Sequence, residues 1–110
     1  MAGAELLSNH GLVLLCLARD PQIRIRDVAD RVGITERTAQ RIVNELVDEG
    51  YVLRRRAGAR NRYELRPEAA MRHPELRQQP VSRLLAALGA DGRARGRPNA
   101  SEAAGGARPG

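Results

Sequence analysis

The stretch that decides the fold is 27-DVADRVGITERTAQRIVNELVDEGYVLRRRAGARNRYEL-65. Its first half places Val28, Ala29, Val32, Gly33, Ile34, Ala39 and Ile42 at the spacing of two short helices that cross tightly around a turn of three to four residues. Ala29 is small enough to sit at the crossing. Gly33 can adopt the left-handed conformation that ends the first helix without a Cβ penalty, Ile34 plugs the corner, and Thr35 is a natural N-cap for the second helix.

The second helix, read over residues 35–49, carries Ala39, Ile42, Val43 and Leu46 at i, i+3, i+4, i+7, a single stripe that must face a core. Arg37, Gln40, Arg41 and Asn44 repeat that spacing two residues earlier, about 200° round the helix, and form the opposite face. An ordinary solvated face would be rich in Glu and Lys. Arginine grips a guanine edge with two hydrogen bonds and Gln or Asn grips adenine, so these residue types fit a groove of DNA.

After Gly50 the chain reads as a strand from Tyr51, a loop over 57–61 and a second strand from Arg62, an edge hairpin with Tyr63 and Leu65 on its buried face. Between Tyr51 and Arg66 stand six arginines (54, 55, 56, 60, 62, 66) and one acid, Glu64, a balance of +5 in a chain whose net charge is +6. Residues 20–50 hold seven acids against five arginines. The positive charge is therefore focused beside the reading face, where phosphate contact would use it.

Taken in order, a helix, a helix-turn-helix, Leu46-x-x-x-Gly50-Tyr51-Val52-x-Arg54, a loop and Arg62-Tyr63-x-Leu65 resemble a winged helix-turn-helix domain, most closely the bacterial regulators of the MarR-like type. The similarity covers about Ser8 to Pro67. It implies that the second helix of the motif enters the major groove while the hairpin wing lies on the backbone or an adjacent minor groove. By this resemblance Thr35, Glu36, Arg37, Thr38, Gln40, Arg41 and Asn44 fall on the recognition helix, and Arg55, Arg56, Arg60, Asn61 and Arg62 on the wing. Glu36 admits two roles, an acceptor for cytosine N4 or a charge favouring the helix N-terminus. Ala39 departs from the pattern, which commonly has a larger aliphatic there.

The chain has 110 residues, enough for one core. A winged domain of ~60 residues buries only about 60% of its unfolded surface, so extra helices or a partner chain would help it. Residues 9–19 read as a helix capped by Ser8 or Asn9, apolar nearly all round. Val13, Leu14 and Leu17 serve the core, and Leu12, Leu15 and Cys16 are left needing cover. Pro80 and Gly89 bracket a second apolar helix with Val81, Leu84, Leu85 and Leu88 on one stripe. The surplus stripes are expected to meet, across a homodimer or within one chain. The dimer reading assigns Leu12, Leu15, Cys16, Val81, Leu84, Leu85 and Leu88 to the contact, with two recognition helices about 34 Å apart on a near-palindromic site.

No basic n-region precedes an apolar segment at Met1–Glu5, and the longest apolar run, Leu12–Ala18, is too short to span a bilayer, so a cytoplasmic, nucleoid-associated location is expected. Cys16 reads as a core thiol, and His10, Cys16 and His73 lack metal-ligand spacing. No cofactor is expected. No nucleophile-base pair, Gly-rich phosphate loop or carboxylate dyad appears, which argues against an enzyme. All nineteen basic residues are Arg, a GC-rich, actinobacterial-type coding bias, so Arg in place of Lys carries no functional weight.

The expected architecture is mainly α with a small β-hairpin wing: a winged helix-turn-helix over residues 1–67, a linker and C-terminal amphipathic helix over 68–89, and a disordered Arg/Gly/Ala/Pro tail over 90–110. In the tail, Arg95-Gly96-Arg97-Pro98 is similar to the core of an AT-hook, which makes Arg95 and Arg97 candidates for a minor groove, although a biased tail acting by charge alone has the same composition. The partner expected is double-stranded DNA, read sequence-specifically by a transcriptional regulator. The alternatives are a non-specific architectural DNA binder, which would not need Gln40 or Asn44 on its groove face, and a winged protein-protein module, which would expose apolar residues there.

Overall fold

The computed structural model describes residues 6–90. The first helix, α1 (Asn9–Arg19), starts where Ser8 turns its hydroxyl back to accept from the Gly11 N–H at 3.2 Å, which satisfies one otherwise orphaned donor. Val13, Leu14, Leu17 and Ala18 make its buried stripe. Helix α2 (Ile25–Val32) ends at Gly33, whose φ of 85° is left-handed, and both Gly33 and Ile34 donate back to the Ala29 carbonyl. A Cβ at Gly33 would meet nothing within 4 Å, so its backbone conformation, not crowding, is what calls for glycine.

Thr35 caps α3 (Glu36–Asp48): its Oγ1 accepts from the Thr38 N–H and donates to the Thr38 hydroxyl, both at 3.0 Å. Ala39, Ile42, Val43 and Leu46 are buried, the stripe read from the sequence. Ala39 is 0% exposed, so the small side chain is fully buried within the core cluster.

The hairpin is tighter than the expected five-residue loop. Strands β1 (Val52–Ala57) and β2 (Arg60–Leu65) pair antiparallel from Val52↔Leu65 to Ala57↔Arg60, leaving only Gly58 and Ala59 in the turn. Gly58 has φ of 66°, and positive φ at the first central residue is the sign pattern of a type II′ turn, whose twist matches that of the strands. Arg60 and Asn61 thus belong to the ladder. One face of the ribbon carries Val52 and Tyr63 into the core. The outer edge of β2 is tied at one point, where the Tyr63 N–H donates to the Pro21 carbonyl at 2.8 Å.

Beyond Arg66 the chain makes a ladder-like return (Ala70↔Pro80, and Met71 N–H to the Gln79 carbonyl at 2.9 Å) around a short 3-10 turn, Pro74–Leu76. It then enters α4 (Val81–Ala87), whose first N–H groups donate to Ala69 and Pro67 carbonyls, while Arg19 of α1 donates to the Leu88 carbonyl at 3.1 Å. Val81 and Leu85, expected among the dimer contacts, are each 1% exposed inside the chain's own core. The hydrogen bonds that seat α4 against 67–69 turn this pair inward. Leu84, Leu88 and Leu12 remain half-buried outside the core cluster, whereas Leu15 and Cys16 pack on its margin. Ala90, expected to begin the disordered tail, is buried and donates its N–H to the Leu85 carbonyl at 2.8 Å.

Candidate nucleic-acid interface

The outward face of α3 is built by register alone: once Ala39, Ile42, Val43 and Leu46 are buried, Glu36, Arg37, Gln40, Arg41 and Asn44 are left in solvent. Thr35 is exposed but committed to the cap, and Thr38 is half-buried with its oxygen accepting from Thr35. Of the two arginines, Arg37 has no hydrogen-bond or ion-pair partner among the described residues. Arg41 is held by Glu45, one turn on, at 3.1 Å.

Asn44 sits where the helix meets the wing. Its Oδ1 accepts from Arg54 at 2.7 Å and from Gln40 Nε2 at 3.1 Å, so its acceptor is occupied by the protein's own donors while its amide N–H groups have no partner among the described residues. Bidentate reading of adenine needs both ends of the carboxamide. The structure thus makes Asn44 a latch in the free protein, and leaves Gln40 with its carbonyl oxygen available. Arg54 is an addition to the expected interface. The signal for it lies in the strand period: Arg54 shares a face with Val52 and is paired with Tyr63, both buried, so it must point toward the helical body.

The other wing residues divide by partner. Arg55 and Arg62 stand opposite one another, and Arg55 Nε relieves that like-charge contact by donating to Glu64 at 3.0 Å. Arg60 reaches the Gln22 carbonyl at 3.4 Å. Arg56 and Arg62 are exposed and unpaired among the described residues, and Asn61 is half-buried. With Arg37 they are the cations of the candidate interface that have no hydrogen-bond or ion-pair partner among the described residues.

Glu45 is a second addition. Its Oε1 lies 2.6 Å from Nε2 of His10, at the start of α1, and its Oε2 holds Arg41. Hydrogen bonding from His10 first, then from Arg41, keeps this carboxyl below the ordinary carboxylate range. Burial pushes the Cys16 thiol up against the opposing charges of Arg31 and Arg19, which disfavours the reactive thiolate. A groove of about 860 Å³ opens at the hairpin base, lined by Leu65, Arg66, Pro67, Ala69, Met71 and Arg72 among others. Among the described residues no group of His, Cys, Asp and Glu could hold a metal, and no helix is long and apolar enough to cross a membrane. Arg95 and Arg97 lie outside the described residues.

Residues 6–52, from the approach to α1 through the first residue of β1, match the family model described as winged helix-turn-helix DNA-binding. The matched residues hold α1, α2 and α3, and four helices with a two-stranded hairpin are the fold of a winged helix-turn-helix. Among solved structures, the chain is similar to the PcaV transcriptional regulator from Streptomyces coelicolor, crystallised in complex with its natural ligand. The TM-score is 0.50 and the identity 24%, over 80% of this chain and 64% of that one. At that identity the likeness speaks for the fold, and the chain spans less than two thirds of that structure. No curated protein matches the sequence.

Proposed function

We propose that this protein is a sequence-specific, MarR-like transcriptional regulator that sets α3 in the major groove and its arginine wing on the adjacent backbone or minor groove. One observation carries the reading: a helix face of Arg37, Gln40 and Arg41 is joined through the Arg54–Asn44 bond to a hairpin whose Arg56 and Arg62 have no other partner among the described residues. Discrimination falls to Arg37, Gln40 and Arg41, which offer base-edge donors and acceptors, and affinity to the wing cations, which release counterions from phosphates.

A homodimer would occupy two half-sites about one helical turn apart and explain the apolar surface that the core does not use. Leu12, Leu84 and Leu88 are half-buried off the core cluster, and Leu6 is 98% exposed just ahead of α1. Val81 and Leu85, buried within the chain, stand outside this contact. A cytoplasmic, nucleoid-associated location belongs to the same reading. Sedimentation of the purified chain at micromolar concentration tests the assembly, and titration of a fluorescent duplex with and without excess random DNA tests specificity. Binding that random duplex competes away at equal concentration contradicts the proposal.

A further inference from the structure

One carboxylate on α3 is shared between partners drawn from two elements. Glu45 offers Oε2 to the Arg41 guanidinium at 3.1 Å and Oε1 to Nε2 of His10, 35 residues earlier in the chain, at 2.6 Å. The three side chains are 44%, 58% and 46% exposed respectively, so each can exchange its partner for water, and the imidazole can exchange protons with solvent. We propose that His10 and Glu45 are positioning residues for Arg41, and that protonation of His10 frees Arg41 to engage DNA. The inference rests on the reading of α3 as the DNA-facing helix.

The charges give the direction. With a neutral imidazole donating from Nε2, Arg41 is the only full counter-charge in contact with the Glu45 carboxylate among the described residues. For Arg41 to turn to a base or phosphate it must leave that carboxylate uncompensated beside a polyanion. When the imidazole takes a proton from water on Nδ1, it becomes the counter-ion at Oε1, and Arg41 departs without stranding the anion. No proton moves between protein groups.

The surrounding charges do not take over this role. Helix α1 itself has no acid, and Arg19 at its far end is bound to the Leu88 carbonyl. The elements packed on α1 bring Arg26, Asp27, Asp30 and Arg31 from α2, Glu36, Arg37 and Asp48 from α3, and Arg60, Arg62 and Glu64 from β2. None of these has a hydrogen bond or ion pair to His10 among the described residues, and Glu64 is occupied by Arg55. Because Glu45 is held below the usual carboxylate range, it stays ionised across the interval in which imidazoles titrate. His73, the other histidine, accepts from the Glu75 N–H at 3.1 Å in the 3-10 turn and serves as the control.

The test is the affinity of the full chain for a duplex selected from a random pool, measured at constant ionic strength at about pH 8 and about pH 5.5, on either side of the imidazole range. The original chain should bind about two- to fivefold more tightly at the lower pH, the scale of one exposed ion pair. His10→Gln should abolish that response and His73→Gln should keep it. Glu45→Gln should bind more tightly at the higher pH and show no response, and Arg41→Ala should be flat. A full pH response in His10→Gln overturns the proposal, whereas absence of DNA binding in the original chain at both values overturns the functional reading beneath it. A second readout needs no variant: in the free protein the Arg41 Nε–H NMR signal should titrate in step with the His10 ring. Independent titration of the two would equally overturn the assignment.

Discussion

Replacing Asn44 separates a latch from a reader. Its Oδ1 takes two hydrogen bonds, one charge-assisted from Arg54 at 2.7 Å and one from Gln40 at 3.1 Å, and all three side chains are exposed to water. A solvent-competed bond of this kind contributes a net of about 1 kcal/mol, so the coupling between positions 44 and 54 should be about fivefold in Kd. The measurement is a double-mutant cycle on the preferred duplex with Asn44→Ala, Arg54→Ala and the pair. Asn44→Ala should weaken binding about fivefold, and the double replacement should lose no more than Arg54→Ala alone, because the latch can be broken only once. The same proteins titrated against duplexes altered at each half-site base pair should keep the original order of preference. Additive losses, together with relaxed preference at one base pair in Asn44→Ala, would show that Asn44 leaves the wing to read a base, an interaction worth about 1–3 kcal/mol of discrimination, and would refute the latch.

Leu85→Ala should destabilise the fold by about 2–5 kcal/mol, since it empties a core position that is 1% exposed, whereas Leu84→Ala and Leu88→Ala should leave the monomer's thermal unfolding nearly unchanged and shift only its sedimentation. Replacing Arg56 and Arg62 together should reduce the slope of log K against log salt by about 0.9 for each phosphate no longer neutralised, with similar weakening on preferred and random duplexes. An unchanged slope would place the wing away from DNA. The lowered Glu45 carboxyl gives an acid-side signature. Its folded pKa lies below the unfolded one, so its stabilising bonds are present above the ordinary carboxylate range and disappear as pH falls through the folded value. The melting temperatures of the original chain and Glu45→Gln should therefore differ near neutrality and converge in acid.

The elements are legible in the sequence wherever the pattern is local. Helical periodicity marks α1, α3 and α4, the left-handed Gly33 places the corner of the motif, and alternation marks the hairpin. Pairings between distant side chains are another matter. Arg54 with Asn44 and His10 with Glu45 depend on how the wing and α1 lie against α3, and no spacing along the chain encodes those approaches. Residue type says what the Asn44 carboxamide can offer a base, and does not say that its oxygen accepts from Arg54 and Gln40 in the free protein. The hairpin turn reads too long in the sequence because Ala, Arg and Asn beside Gly58 look like loop composition, while the ladder closes up to Ala57↔Arg60. Val81 and Leu85 read as dimer contact or as cover for the chain's own core because periodicity gives a face without its partner, and the structure buries both in the core.

Base reading by α3 is decided by selection of bound duplexes from a random pool with the purified full chain, repeated with Arg37→Ala. The pool should be enriched in a near-palindrome with half-sites about one helical turn apart, and the variant should lose preference at one base pair per half-site. A pool that remains random in sequence after selection, or an identical preferred site from both proteins, contradicts base reading by α3.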